Sequence, residues 1–225
     1  MYDQLDFGGL EAPCLLPPHA NPTSAVVLLH GYGATGDELI ELGRAWQPAL
    51  PTTAFIAPHA PEPFPDPHFD ARQWFPLRDR DPVEYARGVA AAAPRLDHCL
   101  DAVLARFSLA SDRLALVGFS QGCMMALHAG PRRKARLAAV LGYSGALAAP
   151  DRLAAEMATN PPVMLVHGED DAVVPVAQLD LAQRALAAAG VEVVAHRLAG
   201  VGHTISNDGV ALGRTFLLQR LPPAG

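Results

Sequence analysis

The segment at residues 118–122 has the residue pattern best suited to chemistry in this chain. It reads Gly-Phe-Ser-Gln-Gly and places Ser120 between an apolar run at 114–117 and a helix-forming stretch at 123–128. Glycines on both sides of the serine allow a strand to turn sharply into a helix. A serine at such a turn adopts a strained backbone conformation and exposes its hydroxyl group. The pattern therefore predicts a nucleophile elbow, with Ser120 as the attacking group of a serine hydrolase.

A serine hydroxyl group is a poor nucleophile unless a base removes its proton. After an elbow of this kind, the base is a histidine that follows the acid along the chain and lies on a loop after a strand. The chain has nine histidines. Of these, only His203 lies in a glycine-rich loop, between the strand predicted at 191–197 and the last predicted helix. His203 is therefore the predicted base.

The acid that orients the base is expected just after the strand predicted at 163–167. Residues 169–171 are all acidic and follow that strand directly. We favour Asp171 because it lies four residues before Pro175, the predicted entry to a helix, as in related enzymes. An acid near a helix N-terminus also stabilises the helix dipole, and this structural interpretation of Asp171 stays open.

The oxyanion that forms during attack on a carbonyl group requires N–H donors. The predicted donors are the backbone N–H groups of Gln121, next to the nucleophile, and of Tyr32, in the loop after the first predicted strand. That loop, at residues 31–36, also has the Gly-x-Gly-x-x-Gly spacing of a dinucleotide-binding turn. A dinucleotide site requires an acid at the end of the next strand, and residues 55–59 contain none. An NAD-dependent oxidoreductase is therefore disfavoured.

The composition argues against several classes of protein. The 225 residues include 17 Lys and Arg against 23 Asp and Glu, a net charge of −6, which disfavours a nucleic-acid partner. The three cysteines are too few and too sparse to form a disulfide framework. We see no signal peptide, and no apolar run approaches the roughly 20 residues that a membrane span requires. We therefore expect a single domain over residues 1–225, in the cytoplasm.

Other reactive side chains are interpreted as structural. His59 and His68 lack the spacing of metal ligands to acids or cysteines, so we expect no metal and no cofactor. Cys123 follows Ser120 by about one helical turn and is predicted to be a packed thiol rather than a second nucleophile.

Predicted strands and helices alternate along the chain, as apolar runs and amphipathic stretches indicate. The predicted strands lie at 25–29, 53–57, 114–118, 137–143, 163–167 and 191–197, and the predicted helices at 37–50, 82–107, after Ser120, near 151–158, at 176–189 and at 206–220. Pro94 is expected to kink or restart its helix. This order predicts an α/β fold, with a mostly parallel, doubly wound sheet covered on both faces. Only residues 144–162 separate the two strands after the elbow, which leaves no room for a cap domain.

A proline-rich segment is predicted to form a stiff surface loop. Five of the ten residues from Pro58 to Pro67 are prolines. Phe69, Trp74 and Phe75 follow this segment. These aromatic side chains either hold the loop against the body of the protein or wall a substrate pocket, since pockets in such sheets gather on strand-end loops. Trp74 and Phe75 are therefore candidate substrate-binding residues.

These segments together resemble the phospholipase/carboxylesterase family, which includes bacterial carboxylesterases and acyl-protein thioesterases. The matching segments are residues 28–33, 72–75, 118–122, 167–175 and 202–203. The resemblance implies an α/β-hydrolase fold, and it suggests a homodimer. It also implies a catalytic triad of Ser120, Asp171 and His203. The two oxyanion donors that it implies are Tyr32 and Gln121.

The expected activity is hydrolysis of carboxylic esters through an acyl-enzyme, with thioesters or lysophospholipids as further substrates. The expected partner is a small-molecule or lipid-like acyl ester. Two alternatives stay open. A peptidase on the same fold often carries a cap or an extra domain, and a non-catalytic binding protein on a hydrolase scaffold usually lacks a member of the triad.

Overall fold

The fold is organised around an eight-stranded β-sheet, seen in a computed structural model that describes residues 2–18 and 21–221. The strands are β1 (Asp3–Asp6), β2 (Glu11–Leu15), β3 (Ser24–Leu29), β4 (Thr53–Ile56), β5 (Glu62–Pro63), β6 (Arg72–Gln73), β7 (Leu114–Phe119), β8 (Ala139–Tyr143), β9 (Val163–Gly168) and β10 (Val193–Leu198). The sheet has the order β1-β2-β4-β3-β7-β8-β9-β10, and β5 and β6 form a separate two-stranded ribbon. The pairs β1–β2 and β2–β4 are antiparallel, and all pairs from β4 to β10 are parallel.

Helices cover both faces of this sheet. They are α1 (Gly36–Trp46), α2 (Pro82–Phe107), α3 (Gln121–Arg132), α4 (Leu153–Glu156), α5 (Ala177–Ala188) and α6 (Asn207–Arg220). Because side chains alternate along a strand, β3 contributes Val27 and Leu29 to one core and Val26 and Leu28 to the other. The first core also contains side chains of α2, α3 and α5, and the second contains side chains of α1 and α6. The predicted doubly wound, mostly parallel sheet is confirmed.

The two N-terminal strands were not predicted from the sequence. β1 has a mostly exposed Asp-Gln-Leu-Asp sequence, and β2 contains Pro13, a residue that disfavours central strands. β2 nevertheless pairs with β4, with Cys14 opposite Ile56. Tertiary pairing therefore adds an antiparallel edge that the hydrophobic pattern does not indicate.

Helix α2 continues through Pro94, so the restart allowed for in the prediction does not occur. Proline removes the N–H group that would bond to the carbonyl group of Ala90, four residues earlier. Both residues are exposed to solvent. Water can therefore satisfy this carbonyl group, and the helix is maintained by its buried side.

The carboxyl ends of β3, β7, β9 and β10 lie at one edge of the sheet, where the loops carrying the predicted catalytic residues meet. Between β8 and β9, residues 144–162 contain only a 3₁₀ turn (Pro150–Arg152) and the single-turn helix α4. The loop is too short for a cap domain, as predicted. Within residues 2–18 and 21–221, each helix is too short or too polar to cross a lipid bilayer.

Candidate active site

Ser120 lies at a strained turn between β7 and α3. Its backbone has φ 53° and ψ −115°, a conformation that L-residues rarely adopt, and its N–H group donates to Tyr143 O at 2.9 Å. A Cβ atom on Gly118 would lie 2.1 Å from Gly122 O, and one on Gly122 would lie 1.9 Å from Leu29 O. Only glycine fits at these two positions, so the local sequence dictates the turn that presents the serine.

His203 connects Ser120 to a buried carboxylate. Its Nε2 atom lies 3.0 Å from Ser120 Oγ, and its Nδ1 atom lies 2.7 Å from Asp171 Oδ2. The Phe119 ring packs beside the imidazole, with ring centroids 5.0 Å apart. The structure therefore brings together the three residues that the sequence analysis selected from separate loops.

Asp171 is held as an ionised acceptor. Its side chain is fully buried, and its Oδ1 atom accepts the N–H groups of Val173 and Val174 at 2.9 and 2.8 Å. Burial alone would raise the pKa of Asp171, but the hydrogen bonds from His203 and from the two valine N–H groups outweigh it and lower that pKa below its usual value. The competing acids at 169–170 are exposed.

A second histidine supports the same carboxylate and was missed by the sequence analysis. His167 Nε2 lies 2.8 Å from Val174 O and 3.2 Å from Asp171 Oδ2. A carbonyl oxygen only accepts, so Nε2 carries the proton and donates. The side chain is 1% exposed. The signal available in the sequence was its position four residues before the acid, at the end of β9.

The backbone N–H groups of Tyr32 and Gln121 were predicted to act as oxyanion donors. Within the described part of the chain, neither Tyr32 N–H nor Gln121 N–H donates a hydrogen bond. Gln121 is the first residue of α3, where N–H groups lack helical partners. Both residues line a cavity of about 140 Å³ together with Ser120 and His203. An oxyanion in this cavity would therefore find two unused donors.

The side chain of Gln121 anchors the segment after β6 to the elbow. Its Oε1 atom accepts Trp74 N–H at 2.8 Å, and its Nε2 group donates to Phe75 O at 2.7 Å. Trp74 Nε1–H donates to His30 O at 3.0 Å. Trp74 and Phe75 are only 1% and 2% exposed, and the cavity around Ser120 is lined by other residues. The structure therefore does not bring these two candidates to the site, and their side chains hold the loop instead.

A larger groove adjoins the cavity at Ser120. It has a volume of about 620 Å³ and shares Arg80, Tyr85, Val173 and Val174 with that cavity. These residues come from the start of α2, the segment before it, and the loop between β9 and α5. Sequence reasoning did not select them as site residues, because Val173 and Val174 entered it only as part of the matching segment 167–175 and because only the fold places the two segments face to face.

Other reactive groups near the site are not arranged for catalysis. Cys123 is 1% exposed, and burial raises the pKa of its thiol to about 12. It stays protonated at neutral pH, as expected of a packed thiol. Within the described ranges, no group of three or more His, Cys, Asp and Glu side chains could hold a metal ion.

Comparison with known proteins places this geometry in a family. The sequence profile described as Phospholipase/Carboxylesterase matches residues 11–220. The chain belongs to the phospholipase/carboxylesterase family. The resemblance and the α/β-hydrolase fold predicted from the sequence are thus confirmed.

Several known proteins are similar to this chain over most of its length. Acyl-protein thioesterase 1 of Gibberella zeae is 27% identical over 231 residues, covering 96% of this chain and 98% of that protein. Esterase YpfH of Escherichia coli K12 is 26% identical, with coverages of 88% and 83%. The crystal structure of esterase PE8 superimposes with a TM-score of 0.90 and 41% identity, covering 94% of this chain and 99% of that one.

Proposed function

We propose that this protein hydrolyses carboxylic esters and thioesters through an acyl-enzyme on Ser120. The observation that carries the proposal is the unbroken chain of hydrogen bonds from Ser120 Oγ through His203 to Asp171. Membership in the phospholipase/carboxylesterase family supports the same reaction class. Relatives named as an esterase and as an acyl-protein thioesterase favour oxygen and sulfur esters alike.

In the proposed reaction, Ser120 Oγ attacks the carbonyl carbon while His203 Nε2 takes its proton. The ionised Asp171 keeps the imidazole oriented and stabilises its charged form. The N–H groups of Tyr32 and Gln121 stabilise the oxyanion. Collapse of the intermediate breaks the ester bond, and the departing alcohol or thiol receives the proton from His203. Water then repeats these steps on the acyl-enzyme and releases the acid.

The surroundings of Ser120 support a small-molecule or lipid-like acyl ester as substrate. The short connection at 144–162 leaves this edge of the sheet uncovered. The adjoining groove is large enough for an extended acyl chain, with apolar side chains such as Leu147, Val173 and Leu181 along it.

The test compares Ser120→Ala with Ser111→Ala, a serine in a 3₁₀ turn, in hydrolysis of p-nitrophenyl butyrate and of a butyryl thioester. Ser120→Ala should lower kcat by at least about 10⁴-fold with an unchanged circular dichroism spectrum, and Ser111→Ala should keep full activity. A fluorophosphonate probe should label the wild type and not Ser120→Ala. Undiminished turnover by Ser120→Ala would refute the assignment, and an unlabelled, inactive wild type would favour a non-catalytic binding protein.

A cytoplasmic location and a homodimer complete the proposal. Cys14, Cys99 and Cys123 are buried free thiols, which supports a reducing compartment. The dimer is suggested by the resemblance to the family, and light scattering coupled to gel filtration would measure it as a mass of about twice 23.7 kDa.

A further inference from the structure

We propose that Arg80, assisted by Arg184, selects substrates that carry an anionic group, a carboxylate or a phosphate, besides the ester that is cleaved. The inference rests on the proposed ester hydrolysis at Ser120. Arg80 lines both the cavity at Ser120 and the larger groove, and Arg184 lines the groove from α5. Both residues are exposed to solvent.

Arginine side chains, and no carboxylates among the described residues, line these two cavities. The lining of the groove is mainly apolar. Among the described residues, neither Arg80 nor Arg184 forms a salt bridge, although the whole chain has a net charge of −6. An apolar groove with two unpaired guanidinium groups is complementary to an amphipathic anion.

The backbone around Arg80 is built to hold this residue in place. Arg80 adopts a left-handed conformation with φ 54°, which is strained for a residue with a side chain. Its N–H group donates to Glu84 Oε2 at 2.7 Å, and the buried Glu84 carboxylate also accepts the N–H groups of Arg78 and Asp79 at 2.8 and 3.1 Å. The Arg80 guanidinium lies above the ring of Tyr32, 6.0 Å from its centroid, and Tyr32 N–H is a predicted oxyanion donor.

Three carboxylates close in sequence to these arginines have other partners. Glu84 is occupied by three backbone N–H groups, and Asp81 Oδ1 accepts Glu84 N–H at 2.8 Å. Asp180, one helical turn before Arg184, pairs with Arg197. These three carboxylates therefore do not neutralise the two guanidinium groups, and Arg80 is the one of the two that also lines the cavity at Ser120.

The experiment compares esters that differ only in the anionic group. In the first arm, the acyl chain of a p-nitrophenyl ester ends either in a carboxylate or in the isosteric, neutral carboxamide. In the second arm, 1-acylglycerol 3-phosphate is compared with 1-acylglycerol of the same chain length, with release of the fatty acid as readout. The first arm tests a carboxylate on the acyl side and the second tests a phosphate on the alcohol side.

The wild type should prefer the anionic member of at least one pair by about tenfold in kcat/KM, the size expected of one charge-assisted hydrogen bond. Arg80→Gln should abolish the preference by lowering kcat/KM for the anionic member about tenfold more than for the neutral member, while Arg80→Lys should retain part of it. Arg184→Gln should reduce it less. Arg214→Gln on α6, exposed and outside both cavities, is the matched control and should behave as the wild type. Raising the salt concentration should weaken the preference.

Equal kcat/KM values within both pairs for the wild type would overturn the inference, as would an equal loss for charged and neutral esters in Arg80→Gln. These results are distinct from a failure of the proposed function. In that case the wild type would hydrolyse no ester in either arm and would not be labelled by the fluorophosphonate.

Discussion

Substituting His30 with asparagine or with glutamine should separate the roles of its two ring nitrogen atoms. The imidazole is 1% exposed, and its Nε2 atom accepts Ala60 N–H at 2.9 Å. The proton therefore lies on Nδ1, which donates to Gly31 O at 2.8 Å. Burial lowers the pKa of His30 to about 4, so the ring is neutral near pH 7.

The bond to Gly31 O bears on catalysis through the geometry of the next peptide. The peptide bond to Tyr32 is trans, so its C=O and N–H groups point in opposite directions. A ring that fixes Gly31 O therefore also fixes the direction of Tyr32 N–H, the predicted oxyanion donor. His30 is a positioning residue in this scheme, since it acts through the backbone.

The side-chain nitrogen of asparagine is separated from Cα by the same number of bonds as Nδ1 of histidine. The side-chain oxygen of glutamine is separated from Cα by the same number of bonds as Nε2 of histidine. His30→Asn should keep the donor to Gly31 O, and His30→Gln should keep only the acceptor for Ala60 N–H. Each variant loses one buried hydrogen bond, so both should lose a similar 1–3 kcal/mol, roughly, in the free energy of unfolding. Removing an oxyanion donor lowers kcat by about 10²–10³. A misdirected donor should cause part of this decrease in kcat. We expect kcat to fall by about 10–100-fold in His30→Gln and by less than about threefold in His30→Asn.

The assay measures kcat and KM for p-nitrophenyl butyrate together with urea unfolding of each variant. The expected result is a difference confined to kcat, with similar KM values and similar unfolding midpoints. Equal kcat values for the two variants would refute the reasoning, because the Nδ1 bond would then have no influence on the oxyanion donor. A loss of kcat that simply follows the loss of stability would also refute it.

Three further substitutions test other parts of the site. Asp171→Asn should lower kcat by about 10⁴-fold, because the amide forces the imidazole into the wrong tautomer. The fold should change little in circular dichroism, and a loss of kcat under about tenfold would contradict the assignment of Asp171 as the acid. Gln121→Leu should lower the free energy of unfolding by about 2–6 kcal/mol, since the buried Trp74 N–H and Phe75 C=O groups each lose a partner, at roughly 1–3 kcal/mol each. A decrease below about 1 kcal/mol in urea unfolding would show that water replaces the amide. Gly122→Ala, whose Cβ would lie 1.9 Å from Leu29 O, should lose folded protein in expression trials, whereas Gly202→Ala, with its nearest neighbour 3.8 Å away, should fold normally.

Much of the fold was predictable because it depends on residues close together in the chain. Apolar runs such as residues 25–29 and 114–118 read as buried strands, and the structure has β3 and β7 there. The predictions failed where pairing partners decide the structure. β2 contains Pro13 and gains its place by pairing with β4, more than 35 residues later, so its own residues do not reveal it.

The sequence by itself determined the local chemistry of the site. The two glycines around Ser120 dictate a sharp turn at the end of β7, and the chain order of serine, acid and histidine, each after the end of a strand, predicts Asp171 and His203. These predictions were possible because parallel strands direct the loops at their carboxyl ends to one edge of the sheet.

Only the tertiary structure decided how the surroundings of the nucleophile are built. Trp74 and Phe75 were equally compatible with a pocket wall and with a buried anchor, and it is the amide of Gln121, 47 and 46 residues away, that holds them in the interior. Glu84 binds the backbone of Arg80, and the Arg80 guanidinium lies over the ring of Tyr32, in a loop almost 50 residues earlier in the chain. Such contacts join side chains that are distant along the chain, and their geometry depends on the packing of whole elements rather than on any local pattern.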